Sequence, residues 1–409
     1  MLDLNTLLNK RKYSLKEMEK RNAKKIYLEF IKIYDNLYRT RNINPETITN
    51  LARKITLKEL RQGIEAKNLL FVLIDKYLRL PNFSDPSVPQ GYDKKGDIIL
   101  YTKDIFRRNL VKKFKKYDEL GNRLGIFSRA TNIKVAGDGF PFLFGFGALL
   151  ERAIINLMLD THIKNGYQEI SVPTVVNERS MFCTGAFPFH VDNAYHIENT
   201  SLYLNPTIEI QQTNLIRGVN FKNRLKTPFR IVGFARSFRV ENEKVITTYT
   251  TLHEFGKVEL FIATRAEDWK NEYDKTIRDV EEILEALELP YRRVLLCTGS
   301  MGISSHLIND YEVFAPGSNE WWEVTSVTSH SDFPSRRMNT TYTDDFGKLR
   351  YVFTLHVPAL SVPRILSAIL ENHQLKNGDI LIPKALRKYM NNLIRISRNM
   401  YFQKYSVFK

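Results

Sequence analysis

The chain is poor in cysteine and has no long apolar run, and both shortages restrict its class. Only Cys183 and Cys297 occur in 409 residues, which excludes a disulfide framework, and two isolated thiols have no metal-ligand spacing. We interpret both as core thiols in a reducing compartment. No apolar stretch approaches the roughly 20 residues of a membrane-spanning helix, so we expect a soluble protein without a membrane partner.

The N-terminus lacks a secretory signal. M-L-D-L-N-T-L-L-N-K-R-K has no apolar core segment, and Asp3, Glu17 and Glu19 argue against an intact organelle presequence. A presequence that had already been removed would leave no trace in this sequence. Internal repeats and long low-complexity segments are also absent from the sequence.

What the chain has in excess is positive charge. It contains 61 Lys and Arg against 45 Asp and Glu, a net charge of +16. This balance favours a polyanionic partner such as nucleic acid over a basic surface that is merely solvated.

The spacing of apolar residues divides the chain into three parts. Residues 1–80 have helical periodicity and predict a helical arm or hairpin. The stretch L-P-N-F-S-D-P-S-V-P-Q-G at 80–91 is rich in proline, and we interpret residues 81–92 as a linker. Residues 93–409 predict an α+β domain whose mainly antiparallel sheet is flanked by helices, with a long hairpin near 229–263 and a helix near 267–288.

Polar residues in the predicted hairpin form a candidate nucleotide site. Arg239 and Glu241 lie two apart and share one face, and Phe255, Lys257 and Glu259 repeat that alternation on the return strand. An arginine suits phosphate, a glutamate accepts from an amino group, and an aromatic ring stacks on a base. The motif alone also fits an exposed ladder of cross-strand ion pairs.

The segments around this hairpin resemble the seryl-tRNA synthetases, a family of class II aminoacyl-tRNA synthetases. The resemblance covers nearly all of the chain from Leu80 onward. Its motifs are, in order, Y-D-E-L-G-N-R-L-G, G-A-L-L-E-R-A-I-I-N-L-M-L, T-G-A-F-P, Y-L-N-P-T-I-E, S-F-R-V-E, L-H-E-F-G-K-V-E-L, W-W-E-V-T-S, S-D-F-P-S-R-R, V-P-R-I-L-S-A-I-L-E-N-H-Q and I-P-K-A-L-R-K-Y-M. The V-P-R and E-V-T-S variants look most like the animal mitochondrial branch.

The resemblance implies a six- or seven-stranded antiparallel catalytic sheet and a dimer formed through motif 1, here about 148–173. It also implies two reactions: serine and ATP give seryl-adenylate, and the tRNA then takes the seryl group. The matching ATP-site positions are Arg239, Glu241, Phe255, Glu323, Ser326 and Arg364, with Glu323 as the Mg²⁺ ligand. The matching serine-site positions are Thr207, Glu209 and Glu259, together with His356 and Pro358.

Three departures from the family pattern predict a change of function. The motif 2 loop reads V-I-T-T-Y-T-T-L and lacks the family's arginines. His356 and Pro358 replace an Asn and a hydroxyl residue that line the serine pocket, and we interpret His356 as filling the vacated space. The arm is short and is interrupted at Asn44-Pro45. It nevertheless retains the basic residues that we predict as tRNA contacts: Lys10, Arg11, Lys12, Lys16, Lys20, Arg21, Lys24 and Lys25.

We therefore predict a seryl-tRNA synthetase-like protein that binds tRNA, most plausibly serine tRNA, and has lost ligase activity, similar to the seryl-tRNA synthetase-like mitochondrial proteins of insects. ATP and Mg²⁺ would be cofactors only if the site works. The partner would be a second copy or a genuine mitochondrial seryl-tRNA synthetase, and the location mitochondrial or, alternatively, cytoplasmic. Two alternatives remain open: an active, divergent serine-tRNA ligase, and an enzyme that adenylates another amino acid or acceptor.

Overall fold

The computed structural model describes residues 1–104, 111, 113–127, 134–222, 224–241 and 249–398. It confirms the α+β class, with a large mixed sheet flanked by helices and a helical region at the N-terminus. Among the described residues, no helix combines the length and apolarity needed to cross a bilayer.

The N-terminal region consists of short helices. They are α1 (Leu4–Asn9), α2 (Arg11–Lys20), α3 (Lys24–Arg41), α4 (Pro45–Lys54), α5 (Leu57–Glu65) and α6 (Leu69–Leu78). Local sequence explains where they begin. Asn44 caps α4, whose first residue is Pro45, and Thr56 and Glu59 form a reciprocal capping box on α5. The region is therefore a compact group of helices instead of two long ones.

Eight strands form the main sheet, one or two more than the resemblance implies. They are β1 (Ile98–Lys103), β2 (Gln168–Ile170), β5 (Phe229–Phe238), β6 (Glu254–Thr264), β7 (Tyr291–Leu295), β8 (Leu307–Ala315), β9 (Glu320–Ser331) and β12 (Phe353–Ser361). Their order is β1-β7-β8-β9-β12-β6-β5-β2. Neighbouring strands are antiparallel except β2 and β5, which are parallel. Two-stranded ribbons are formed by β3 (Val175–Asn177) with β4 (Leu202–Leu204), β10 (Thr341–Thr343) with β11 (Leu349–Tyr351), and β13 (Ile380–Leu381) with β14 (Arg395–Ile396).

The sheet domain also contains helices. They are α7 (Tyr117–Leu124), α8 (Phe146–Lys164), α9 (Glu178–Thr184), α10 (Glu209–Asn214), α11 (Trp269–Ala286), α12 (Phe333–Met338), α13 (Val362–Asn372) and α14 (Lys384–Arg387). The predicted hairpin is β5 and β6, and the helix predicted near 267–288 is α11. Apolar residues of α8, α11 and α13 pack with the central strands in one continuous core.

Buried polar contacts fix the N-terminal helices to the sheet domain. The Met1 ammonium donates to Phe333 O at 2.6 Å, and Arg337 Nη2 donates to Leu78 O at 2.8 Å. Arg21 is only 7% exposed. Its guanidinium donates to carbonyl oxygens of Ser305 at 2.9 Å and Gly302 at 2.6 Å, and to those of Asn82 and Met301. These bonds span the predicted linker and make the two regions one packed unit.

The position of Arg21 leads to a stability prediction. Replacing Arg21 with Met leaves buried carbonyl groups without donors, so we expect Arg21→Met to lower the free energy of unfolding by about 3 kcal/mol. Lys16→Met, an exposed change on α2, the helix that ends just before Arg21, should alter it by less than about 0.5 kcal/mol. Urea unfolding of both variants measures the difference, and equal stabilities would contradict the structural role of Arg21.

A buried histidine in α8 predicts a dependence of stability on pH. His162 is fully buried against the ring of Tyr167, and burial lowers its pKa from 6.5 to about 3. The unfolded chain therefore binds a proton that the folded chain does not, and stability falls as pH falls from about 6.5 toward 3. Between pH 7 and pH 5 this group should cost about 2 kcal/mol.

His162→Gln removes this titration. Urea unfolding at pH 7 and pH 5 should show a smaller loss of stability in the variant than in the unaltered chain. The comparison between the two pH values cancels any constant packing cost of the substitution. An identical loss in both proteins would show that His162 does not remain neutral in the folded state.

Candidate active site

The six residues predicted for the ATP site surround one cavity of about 380 Å³. Arg239 and Glu241 follow β5, Phe255 lies at the start of β6, Glu323 and Ser326 lie on β9, and Arg364 lies in the first turn of α13. The structure thus brings together side chains that are as far as 125 positions apart in the sequence.

The hairpin register positions the first part of this site. Ser237 pairs with Phe255 and Phe238 with Glu254, and Arg239 N continues the contact by donating to His253 O at 2.9 Å. The Arg239 guanidinium consequently lies over the Phe255 ring, 5.3 Å from its centroid, and its Nε donates to Pro206 O at 3.0 Å. Both contacts hold the guanidinium at the cavity wall.

The end of β12 and the start of α13 position Arg364, the second arginine of this cavity. Pro363 lies in the first turn of α13, where its missing N–H costs no helical bond, and Arg364 follows it. Arg364 donates to the carbonyl oxygen of Glu323 and, at 3.5 Å, to that of Thr250. The two arginines therefore approach the cavity from different walls, an arrangement that suits a ligand with several phosphates.

Side-chain oxygens that could bind a metal ion lie close together on β8 and β9, near the two arginines. Ser326 Oγ lies 3.5 Å from Glu323 Oε1, and Asp310 on β8 pairs with Ser326 in the sheet register. Burial, with a further contribution from Glu323, raises the pKa of Asp310 to about 7. Its Oδ1 is buried without a hydrogen-bond partner among the residues that the structure describes. Carboxylate and hydroxyl oxygens fit Mg²⁺, with Glu323 as predicted and Asp310 as an addition that no sequence motif signals.

A second cavity of about 520 Å³ adjoins the first. Arg239 and Glu241 line both cavities, and Thr207 and Glu209 line the second. Thr207 and Glu209 lie at the start of α10, which places the predicted ammonium-binding residues beside the predicted phosphate-binding arginine.

The third predicted ammonium ligand is already paired within the protein. Glu259 is 1% exposed, and its Oε2 accepts from Lys257 Nζ at 2.8 Å and from Thr207 Oγ1 at 3.0 Å. Lys257 Nζ also lies 3.0 Å from Thr207 Oγ1. Lys257 shares the face of Phe255 and Glu259, so the alternation along β6 contained the signal for this ion pair, although we predicted no role for the lysine.

His356 is buried near Glu209 of the second cavity but lines neither cavity. It is 2% exposed, its ring lies 4.9 Å from that of Phe261 and 5.1 Å from that of His330. Burial lowers its pKa well below the usual value, so it is neutral at pH 7. His330, also buried and with a lowered pKa, is a neighbour that the sequence did not reveal.

Pro358 lies at an irregularity in the sheet. The ladder between β12 and β9 ends where His356 pairs with Thr328, whereas the ladder between β12 and β6 continues past Pro358, with a register shift between Pro358 and Leu360. Pro358 O accepts from Thr325 Oγ1 on the β9 side. In an antiparallel strand the N–H and C=O of one residue point to the same neighbour, so the missing N–H faces the side where the ladder has ended.

The predicted tRNA contacts divide into three groups. Arg21 is buried and used internally, so the prediction fails for this residue. Arg11 pairs with Asp35, Lys20 with Glu17 and Lys24 with Glu19. Lys10, Lys12, Lys16 and Lys25 are exposed and have no salt bridge to any residue in the described part of the chain. The motif 2 loop that lacks arginines lies partly outside the described residues, which do not include 242–248.

Comparison with known proteins agrees with this geometry. Residues 189–373 match the tRNA synthetase class II core domain (G, H, P, S and T). The chain is 37% identical to the serine-tRNA ligase of Mycoplasma genitalium over 420 aligned positions, which cover 96% of this chain and 99% of that protein. It is 33% identical to the enzyme of Metamycoplasma arthritidis, with 96% and 92% covered.

Two solved structures have the same fold over nearly the whole chain. The seryl-tRNA synthetase from Pyrococcus horikoshii, complexed with ATP, superimposes with a TM-score of 0.83 at 27% identity, covering 97% of this chain and 99% of that one. The cytoplasmic serine-tRNA ligase from Naegleria fowleri, in complex with AMP, gives a TM-score of 0.80 at 22% identity, covering 97% and 99%. The chain belongs to the seryl-tRNA synthetase family of class II aminoacyl-tRNA synthetases.

Proposed function

We propose that the chain is a divergent serine-tRNA ligase, which activates serine with ATP and transfers it to tRNA. The observation that carries this proposal is the joined pair of cavities. One gathers all six predicted ATP-site residues, and the other presents Thr207 and Glu209 next to the shared Arg239. Relatives that cover almost the full chain are serine-tRNA ligases.

Each part of the proposed reaction has a residue that serves it. A serine carboxylate oxygen attacks the α-phosphorus of ATP, and the bond to the bridging oxygen breaks as pyrophosphate leaves. Arg239 would stabilise the charge that develops on the α-phosphate, and Arg364 would hold the γ-phosphate. Glu323, with Asp310 and Ser326 beside it, would hold Mg²⁺, which neutralises phosphate charge when bound. Phe255 supplies an aromatic face, and Glu241 an acceptor, for adenine.

A second function is favoured by the amino-acid side of the site. His356 and Pro358 remove polar groups that the family uses to read serine, and Lys257 already neutralises Glu259. These features support a tRNA-binding protein that has lost ligase activity. As a homodimer, or paired with a genuine mitochondrial synthetase, it would associate through α8 and the edge strand β2, where Gln168 and Glu169 are exposed. A mitochondrial location remains a prediction that rests on the V-P-R and E-V-T-S variants.

Exchange of pyrophosphate into ATP distinguishes the two functions. We expect purified protein to catalyse serine-dependent exchange, and Arg364→Ala to lower kcat/KM by about 10- to 100-fold, because a charged hydrogen bond contributes about 1.5–3 kcal/mol. Arg350→Ala is the control, since Arg350 is exposed and pairs with Asp344 away from the cavity.

Absence of exchange with serine, in protein that still binds ATP, would contradict the ligase proposal. The double variant His356→Asn, Pro358→Thr then locates the defect. Exchange regained by this variant would assign the loss to the serine pocket, whereas continued inactivity would assign it to the motif 2 loop. Exchange with a different amino acid would instead favour adenylation of another substrate.

The exposed lysines of α2 lead to a separate prediction about tRNA binding. Lys12 and Lys16 lie four residues apart, on one face of the helix. We expect Lys12→Ala with Lys16→Ala to reduce the slope of log affinity against log salt concentration by about 1.5, since each phosphate contact contributes roughly 0.7–0.9. Lys76→Ala is the control, because Lys76 pairs with Glu29 in the same helical region. An unchanged slope would place the tRNA elsewhere.

A further inference from the structure

A cluster of metal-binding residue types lies beneath the second cavity. One ligand atom from each of Glu209, His330 and His356 lies within 4.8 Å of the other two. Both imidazoles are buried, and Glu209 is half-buried at the cavity wall. The residues come from α10, β9 and β12, so the fold, and not a local sequence motif, brings them together.

Hydrogen bonds to Thr213 determine which nitrogen of His356 carries the proton. Thr213 Oγ1 donates its only proton to Glu209 O at 2.6 Å. The contact of 3.0 Å between Thr213 Oγ1 and His356 Nε2 must therefore be donated by Nε2–H. A neutral imidazole with a proton on Nε2 has a lone pair on Nδ1. That atom is buried and has no hydrogen-bond partner in the part of the chain that the structure describes.

His330 also has a buried ring nitrogen without a hydrogen-bond partner among the described residues. This atom is Nδ1, while the ring hydrogen-bonds to the backbone of Ser304. Two buried acceptor nitrogens in neighbouring rings, without donors, are unusual because an unsatisfied buried polar atom is costly. Such an orphaned pair needs either a water or a cation.

We propose that Glu209, His330 and His356 form a binding site for a divalent transition metal of the zinc class. Two imidazoles and one carboxylate are a known zinc donor set, which leaves a fourth position for water. Thr213 is the outer partner that orients His356, as metal-bound histidines commonly have. Ligand atoms in a tetrahedral zinc site are separated by about 3.3–3.5 Å, and the three atoms here lie within 4.8 Å of one another, so binding requires them to approach by at most about 1.5 Å.

The electrostatic surroundings permit a cation. The Lys257 ammonium acts on His356, and its charge is balanced by Glu259 at 2.8 Å. Arg239 also acts on this region, but its guanidinium is stacked on Phe255 and bonded to Pro206 O. Arg239 interacts with Glu209 through its charge, but Glu209 forms no salt bridge with any residue that the structure describes, so its carboxylate can accept a metal. This site would use Glu209 as a ligand, so it competes with the predicted role of that residue in binding an amino acid.

The test is metal content and affinity, which do not depend on ligase activity. The full-length protein is dialysed against metal-free buffer, loaded with Zn²⁺, and analysed by elemental mass spectrometry and chelator competition. We expect about one Zn²⁺ per chain, and visible absorption of tetrahedral type when Co²⁺ replaces Zn²⁺. His330→Gln and His356→Gln should each weaken Zn²⁺ binding at least about tenfold, and Thr213→Val by about tenfold through the outer contact.

His373→Gln is the matched control. His373 is 1% exposed, and its Nε2 contacts Leu287 O at 3.0 Å, so the variant also loses a buried imidazole but lies outside the cluster. Glu209→Gln keeps the test valid if the histidine variants do not fold, because Glu209 is half-buried at the cavity wall. The proposal is overturned if the unaltered protein does not retain Zn²⁺. It is also overturned if His356→Gln or Glu209→Gln binds Zn²⁺ as tightly as the unaltered protein, or if His373→Gln weakens binding as much as they do. None of these outcomes decides whether the protein activates serine.

Discussion

The geometry of the candidate active site depends on the unequal pairing of β12 with its two neighbouring strands. β12 bonds to β6 along nearly its whole length, but to β9 only as far as His356. Beyond that residue the β9 side of the strand carries no ladder, and there Pro358 and Ser361 line the first cavity together with Glu323 to Ser326 of β9. A sheet that was bonded evenly on both sides would have no place for a proline in this strand.

The predicted ATP-site residues and the predicted serine-site residues differ in how their polar groups are satisfied. The six predicted ATP-site side chains line an open cavity, and both of its arginines also donate to protein carbonyl oxygens. Of the predicted serine-site residues, Glu259 and His356 are buried, so their polar atoms require partners within the site. The Glu259 carboxylate accepts hydrogen bonds from Lys257 and Thr207. Divergence therefore has different costs in the two sets of residues: a changed cavity residue affects binding, whereas a changed buried residue also affects stability.

Local patterns predicted the hairpin of β5 and β6, because strand periodicity is a short-range property. The structure brings Arg239, Glu241 and Phe255 to one cavity, as the pattern predicted, whereas their role in binding ATP stays a prediction. The Asn44-Pro45 interruption was also visible, as a helix start. What sequence could not give was burial, which depends on distant contacts. Arg21 looks like its basic neighbours on α2, yet carbonyls about 280 positions away enclose it. Asp310 and His330 belong to no motif, and only the register of β8, β9 and β12 brings them to the site.

The interpretation of His356 as a space-filling residue is incomplete for the same reason. Filling a pocket accounts for its volume and for its contact with Phe261, but not for its second nitrogen. Asparagine and a hydroxyl would have offered both donors and acceptors to each other and to a substrate. A neutral imidazole whose Nε2–H is used by Thr213 offers only an acceptor, and its neighbour His330 offers another. Two hydrogen-bond acceptors cannot satisfy each other. The two nitrogens therefore favour a group with positive charge or polar hydrogens, such as a water, an amine or a metal ion. The substitution thus changes what the pocket selects as well as how much room it contains.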